Sequence, residues 1–303
     1  MRGRVVFSPL TAEQMFKDLH AARSRILKAV RLSEKMGPKV IGLGALTASV
    51  MRGKWEALDN IKALITSGSI FTSVLVKKGA EKIAEKAGMD IKECTVAVVG
   101  AAGLVGSLVS KLLADHVGRL ILVDRRMKVL AGLGKEIADQ VKIRVDVTKD
   151  LAQLRHAHVI VAATNAISAV LDQEDVPPGT LIVDDSRPTS TPLDLMDHRP
   201  DVIVVEGGVG HLDGMKCPFD FGLAYEDDVF GCLGETILLC WDRMYERRHL
   251  EGKTDLALAH ELEKVSREIG IELSVFQWQG RVIENFQFEH IKTIKSSKIR
   301  EFA

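Results

Sequence analysis

Apolar residues recur along this chain with two different periods. Short, nearly uninterrupted runs occur at Thr95-Val96-Ala97-Val98-Val99, Leu120-Ile121-Leu122-Val123, and residues 158–163, 181–184 and 202–205, with a further strand at 142–147. Such runs fit strands covered on both faces, and the helical stretches between them, such as 125–139, make the pattern that of a doubly wound parallel sheet. The expected class is therefore α/β, a Rossmann-type sheet with a second, largely helical substrate domain. Before the sheet, Thr11 with Gln14 three residues on reads as a capping box opening a helix to about residue 36, where Gly37-Pro38 stops it. At about 100° per residue, Met15, Leu19, Ala22, Ile26 and Val30 share one side of that helix. Lys17, Lys28, Arg31 and Lys35 line the other, either as a solvated face or as a docking stripe for an acidic partner.

A short strand at 5–7, a strand and glycine turn at 39–44 and a helix at 55–64 are also expected. The loop Thr66-Ser67-Gly68-Ser69 follows, with Ser69 capping a helix to about residue 87. Beyond Gly210 the texture changes. Residues 211–225 read as irregular, Asp227 or Asp228 as the cap of a helix through Cys232 to about 249, and Thr254 as the start of another helix to about 269. From Ile271 a strand or arm is expected, with a frayed basic end carrying Lys292, Lys295, Lys298 and Arg300. These shifts divide the chain into 1–91, the first part of the substrate domain, 92–215, the dinucleotide-binding domain, and 216–303, a helical part packing on the substrate domain.

Directly after the first strand of the sheet stands Gly100-Ala101-Ala102-Gly103-Leu104-Val105-Gly106. Gly100 permits the turn, Gly103 lets backbone approach a pyrophosphate, Gly106 lets the following helix (107–115) pack closely, and the helix N-terminus offers N–H groups to phosphate. Gly100, Ala102, Gly103, Leu104, Val105 and Gly106 are the expected cofactor contacts, with Thr164 and Asn165 at the end of a later strand. Asp124, about 20 residues on, suits a ribose 2′-hydroxyl and favours NADH. Arg125 and Arg126 suit a 2′-phosphate and favour NADPH, so the two signals conflict. Ligands should also meet the loops Asp185-Ser186-Arg187-Pro188 and Glu206-Gly207-Gly208.

Composition narrows the function classes. The 303 residues carry 41 Lys+Arg against 41 Asp+Glu, so no overall field draws the chain to nucleic acid or to a membrane. The expectation is a cytoplasmic protein with no transmembrane segment. Cys94, Cys217, Cys232 and Cys240 form no Cys-x-x-Cys pair, which speaks for free thiols and against a metal site.

Among them Cys232 is singled out. It lies in Phe230-Gly231-Cys232-Leu233-Gly234-Glu235, near a helix start whose dipole should lower the thiol pKa, with glycines that leave the sulfur approachable. A thiolate beside a nicotinamide can take an acyl group from a thioester for reduction to an aldehyde; a small buried thiol packing against the sheet is the alternative. Cys240, eight residues on, reads as core. His211 could polarise a carbonyl or relay a proton, or be a loop histidine.

The cysteine segment resembles the aldehyde-forming long-chain fatty acyl-acyl-carrier-protein reductases. Further matching pieces occur in the same order at Ile41-Gly42-Leu43-Gly44-Ala45, Thr66-Ser67-Gly68-Ser69, residues 96–107 and Val205-Glu206-Gly207-Gly208-Val209. The resemblance implies that Cys232 carries the acyl group, that the glycine loop binds NADPH, and that the product is a fatty aldehyde. Acyl carrier protein or acyl-CoA is then the substrate partner, and an aldehyde-consuming enzyme a further one. Two other readings stand beside it: a shikimate-dehydrogenase-like oxidoreductase on a small hydroxy or keto acid, for which a catalytic Lys-Asp pair is not identified, and a nucleotide-sensing binding protein in which Cys232 is inert.

Overall fold

The structure, a computed structural model, describes residues 1–166, 169–246 and 254–301, with side chains to residue 294. Residues 5–7 form no strand, and the first elements are α1 (Ala12–Lys17) and α2 (Leu19–Lys35). The Thr11–Gln14 capping box is present with both of its hydrogen bonds. The single helix expected here is nevertheless broken, because the Asp18 carboxylate accepts the Ala21 N–H at 2.9 Å and starts a second helix. Ala22, Ile26 and Val30 face a small core as expected, while Leu19 is exposed. Lys17 therefore stands on a different helix from Lys28, Arg31 and Lys35, and all four are exposed.

Next come β1 (Val40–Gly42), α3 (Thr47–Met51), a single 3₁₀ turn at Trp55–Leu58, and β2 (Leu64–Thr66), which pairs parallel with β1 through Val40 and Leu64. Of the helix expected at 55–64 only this 3₁₀ turn forms, and Leu64, its expected last residue, opens β2 instead. In α4 (Ser69–Lys86) the N-cap is Gly68 at φ +72°, and Ser69 lies inside the helix with its hydroxyl on that of Ser67, not capping.

The sheet follows: β3 (Thr95–Val99), α5 (Leu104–Leu113), β4 (Arg119–Val123), α6 (Met127–Gln140), β5 (Arg144–Thr148), β6 (Val159–Ala162), β7 (Leu181–Asp184), the short α7 (Leu195–His198) and β8 (Ile203–Glu206). Its six strands are all parallel, in the order β5-β4-β3-β6-β7-β8. The order reverses between β3 and β6, so the crevice for a ligand opens there, at the carboxyl ends. β3, β4, β6, β7 and β8 are buried almost throughout, each fully covered Val, Ile or Leu contributing about 1.5–3 kcal/mol.

The last third holds β9 (Val209–Leu212), β10 (Asp228–Phe230), α8 (Gly231–Trp241), α9 (Leu256–Ile269), β11 (Ile271–Leu273), the hairpin β12 (Gln277–Trp278) and β13 (Arg281–Val282), and α10 (Asn285–Glu301). Asp228 caps no helix. It pairs with His211 in the antiparallel sheet β10-β9-β11, and its buried carboxylate accepts from Ser274 Oγ and Gln277 Nε2, each at 2.7 Å. The helix that bears Cys232 ends at Trp241; residues 247–249 of the expected longer helix lie outside the described residues. The strand expected from Ile271 is present as β11, and the chain's end, expected to be frayed, is helical through Glu301. Phe276, Trp278, Ile283, Phe288 and Ile291 join the core of the six-stranded sheet.

One helix ties these parts to the site. Val76, Ala80, Ile83 and Ala84 of α4 pack into the sheet core, while Ile70, Phe71, Val74 and Leu75 pack with α8 and α9. The first turn of α4 therefore sits where the sheet's edge meets the cysteine helix.

Candidate active site

Gly100 leaves β3 at φ +83°, and the N–H groups of Gly100 and Ala101 donate to Val123 O at 2.8 and 3.2 Å, pinning the loop to β4. On its other side lies the end of β6: a Cβ added at Gly100 would fall 2.4 Å from Ala163 O, and one at Gly106 would fall 2.4 Å from Gly100 O. Gly103 starts α5 in extended conformation without a side-chain cap, three residues earlier than expected, which leaves the first-turn N–H groups of Leu104, Val105 and Gly106 without helical acceptors. A backbone cradle that side chains would fill, closed by a helix N-terminus, fits a dinucleotide pyrophosphate. Thr164 borders it, its N–H donating to Ser186 Oγ at 3.0 Å and its hydroxyl meeting Ser190 Oγ at 3.2 Å. Asn165 is exposed in the same loop.

At the rim of the cradle the conflicting residues turn out to be joined. Asp124 accepts the Ala102 N–H at 3.1 Å and takes Arg126 through its backbone N–H (2.9 Å), Nε (3.1 Å) and Nη2 (3.0 Å). Burial opposes the charge of Asp124, yet the Arg126 hydrogen bonds hold its carboxyl below the usual carboxylate range. Arg125 is exposed and forms no ion pair among the described residues. A third guanidinium, Arg52 at the end of α3, lies close enough to feel both groups; partial burial and the charge of Arg126 lower its pKa against the pull of Asp124. Nothing in the sequence around Arg52 marks it, 74 positions from its neighbour.

Cys232 occupies the first turn of α8, half-buried, against two glycine loops. A Cβ added at Gly44 would make an ordinary contact with Sγ at 3.7 Å, whereas one added at Gly68 would lie 2.3 Å from the Cys232 Cβ, so the start of α4 approaches this turn as only glycine allows. The turn is anchored by Gly231 N–H to Gly208 O (2.7 Å) and by Thr236 Oγ1 to Cys232 O (3.0 Å). The expected lowering of the thiol pKa is overturned. Burial pushes it up, the charges of Asp185 and Glu235 add to that, and the N–H groups of Ala45 and Leu233 oppose it without prevailing.

Glu235, one helical turn on, is fully buried; it accepts from Thr66 Oγ1 and from Phe71 N–H (2.7 Å), and burial raises its pKa. Its oxygens are spent on joining β2, α4 and α8. Asp185, just past β7, differs. Its Oδ1 lies against Gly208, where an added Cβ would be 2.5 Å away and Thr72 Cγ2 is the next neighbour, and its carboxylate accepts no hydrogen bond among the described residues. Burial raises its pKa to about 7, with Arg187 opposing and Asp184 and Glu206 adding. The sequence placed this loop at the site and gave Asp185 no chemistry.

His211 lies on β9, where Nδ1 meets Asp228 Oδ1 at 3.0 Å and Asp227 Oδ1 at 3.5 Å. The potential ligand atoms of His211, Asp213 and Asp227 lie within 4.8 Å of one another. All four cysteines are free thiols, and Cys240 packs half-buried against the α8–α9 core. Beside Cys232, rings form a path to the surface: Phe230 to Phe221 (6.0 Å), Phe221 to Phe219 (5.1 Å) and Phe219 to the exposed Phe7 (4.5 Å), with Arg187 over Phe230 at 5.2 Å. Among the described residues no helix is long and apolar enough to cross a membrane.

Residues 80–192 match the family model for shikimate / quinate 5-dehydrogenase. With the doubly wound sheet and the glycine cradle, this defines a class for that stretch: an NAD(P)-dependent oxidoreductase domain of the shikimate-dehydrogenase type. Over a longer span the chain is similar to the aminotransferase PigE of a Serratia species, with 26% identity over 248 residues, 80% of this chain and 29% of that protein. It is also similar to the long-chain acyl-[acyl-carrier-protein] reductase of Synechococcus elongatus, with 26% identity over 254 residues, 79% of this chain and 72% of that one. Among solved structures, shikimate 5-dehydrogenase from Listeria monocytogenes superposes with a TM-score of 0.38 at 11% identity, over 79% of this chain and 82% of that one.

Proposed function

We propose that this protein reduces a fatty acyl thioester, carried by CoA or an acyl carrier protein, to an aldehyde through an acyl group held on Cys232. The observation that carries the reading is the thiol's setting: half-buried, held between the Gly44 and Gly68 loops, and anchored through Gly208 to the carboxyl edge that also bears the dinucleotide cradle. The phenyl path from Phe230 to Phe7 supports an apolar tail on the substrate. A bound NADPH supplies a hydride. The chain's own residues hold the pyrophosphate on the Gly103–Gly106 turn, meet the ribose end with Arg126 and Arg52, and present the thiol. Incubation with acyl-CoA in the absence of cofactor, followed by intact-mass measurement, tests the reading; an adduct of one acyl group is expected.

The family match over residues 80–192 favours a second reading, an NAD(P)-dependent dehydrogenase of a small hydroxy acid such as shikimate or quinate. In that case no adduct forms and NADP⁺ is reduced when the hydroxy acid is added. Among the described residues no ion pair joins a lysine to an aspartate, and such a pair is what a non-covalent mechanism of that kind would use.

NADPH is the expected cofactor, because Asp124 spends its lone pairs on Arg126 and so presents a guanidinium to the ribose. Arg126→Ala should weaken NADPH about tenfold, one half-exposed charge-assisted contact. The same change should leave NADH unaffected or slightly favoured as Asp124 is freed; an equal loss for both cofactors in fluorescence titrations would place the 2′-phosphate elsewhere.

Acyl carrier protein is the proposed donor, and the exposed Lys28, Arg31 and Lys35 face of α2 its landing site. Charge on such a rim governs encounter more than chemistry. Lys28→Glu with Arg31→Glu should raise KM for the carrier-bound substrate about tenfold and flatten its salt dependence, with acyl-CoA turnover unchanged. If carrier-bound and CoA-bound substrates respond alike, α2 is a solvated face.

A further inference from the structure

The geometry points to Asp185 as the base that takes the thiol proton of Cys232 when the acyl group is loaded. This inference rests on the thioester reading above. Its starting point is a mismatch: burial, Asp185 and Glu235 hold the Cys232 thiol above its ordinary pKa, so at neutral pH the sulfur is protonated and needs a partner to attack a thioester.

Four carboxyl groups lie around the site, and hydrogen bonds occupy three of them. Asp184 accepts the N–H groups of Ser186 (2.9 Å) and Thr191 (2.8 Å). Glu206 takes Arg187 and the Gln279 N–H. Glu235 takes Thr66 and the Phe71 N–H. Asp185 alone accepts no hydrogen bond among the described residues, and packing aims it. Its Oδ1 sits against Gly208, the residue whose carbonyl anchors the Cys232 turn, and beside Thr72, whose Cα would be met at 2.6 Å by a Cβ on Gly231. The same pair of contacts, Gly208 and Thr72, therefore flanks both the carboxyl group and the turn that carries the sulfur. The charged groups facing Asp185 are Arg187 from its own loop, Asp184 from β7 and Glu206 from β8, and they leave it near half-ionised at neutral pH.

The step balances without a redox partner. The thiol proton passes to the Asp185 carboxylate as sulfur bonds to the acyl carbon; the donor's carbon–sulfur bond breaks, and its departing thiolate takes the proton from Asp185, restoring the carboxylate. One thioester is exchanged for another, and nothing is consumed.

The test follows loading of acyl-CoA onto the full chain without cofactor, by intact mass, from pH 5.5 to 9. For the wild type the loading rate should rise through a midpoint near 7. In Asp185→Asn it should fall about a hundredfold at pH 7, lose that midpoint, and recover only above pH 8 as the thiol ionises unaided, with NADPH affinity unchanged. Asp185→Glu, which keeps the carboxyl group, should restore part of the rate and the midpoint. A wild type that loads while Asp185→Asn matches it in rate and profile overturns the proposal and leaves the thioester reading standing. A wild type that takes no acyl group at any pH overturns the thioester reading, and the role of Asp185 with it.

Discussion

Replacing Cys232 by serine is expected to give a protein that folds and binds NADPH but takes no acyl group and makes no aldehyde. The substitution preserves volume within the turn enclosed by Gly44, Gly68 and Thr72, and the half-buried position lets the hydroxyl find water or the Ala45 N–H, so stability should change by about 1 kcal/mol or less. Chemistry has no such tolerance. A hydroxyl is far less acidic than a thiol, and a carboxyl group with a pKa of about 7 is too weak a base to activate it. Turnover should fall about 10³-fold or more, as for loss of any covalent nucleophile. Intact-mass spectra after acyl-CoA incubation read this directly, and Cys240→Ser is the matching control. Cys240 packs into the α8–α9 core eight residues further along, so its variant should load normally. An adduct that survives in Cys232→Ser and disappears in Cys240→Ser would move the chemistry to the wrong face of α8.

The elements legible in the sequence were those whose surroundings hardly matter. Leu181–Asp184 and the other central strands read correctly to within a residue or two, because a strand covered on both faces needs a continuous apolar run whatever covers it; the edge strand Arg144–Thr148, half-exposed, shows alternation instead. The tight glycine turn after β3 read correctly for a similar reason, since backbone approach at Gly100 and Gly106 forbids side chains locally. Of the three-residue strands, Val40–Gly42 and Ile271–Leu273 read correctly, whereas Leu64–Thr66 and Asp228–Phe230 did not: they exist only through partners about 20 residues away, and the first fell at the junction of an expected helix and loop, the second at the start of an expected helix. Asp18 was read as a helix interior because a capping carboxylate and a solvated one look alike in one dimension. At the site, the helix-start argument for a low thiol pKa in Cys232 was sound about the helix. It left out burial and two carboxylates delivered by other elements, and those are larger. Arg52 and Asp185 owe their interest to neighbours far away in the chain, Arg126 for one and Arg187, Glu206 and Gly208 for the other, so only packing reveals them.

Gly100→Ala should produce the converse defect, a protein that loads acyl groups and binds neither NADPH nor NADH. At φ +83° an alanine is strained by about 1–2 kcal/mol before it touches anything. Its methyl would then lie 2.4 Å from Ala163 O and 2.8 Å from Ala163 C, backbone atoms at the end of a central strand that cannot give way cheaply. The loop must move instead, breaking the N–H contacts of Gly100 and Ala101 to Val123 O and shifting Gly100 O, against which Gly106 and the start of α5 are packed. A total loss of about 2–4 kcal/mol is expected, within what a domain with about 5–15 kcal/mol of net stability survives. With the cradle distorted, affinity for either dinucleotide should drop at least about 10²-fold, beyond reach of a fluorescence titration. Cys232 stands on α8, supported by α4 and β1 and not by the loop after β3, so loading from acyl-CoA should persist at close to the normal rate. If Gly100→Ala binds NADPH as the wild type does, the pyrophosphate does not lie on this turn, and hydride must reach the carboxyl edge from another part of the sheet.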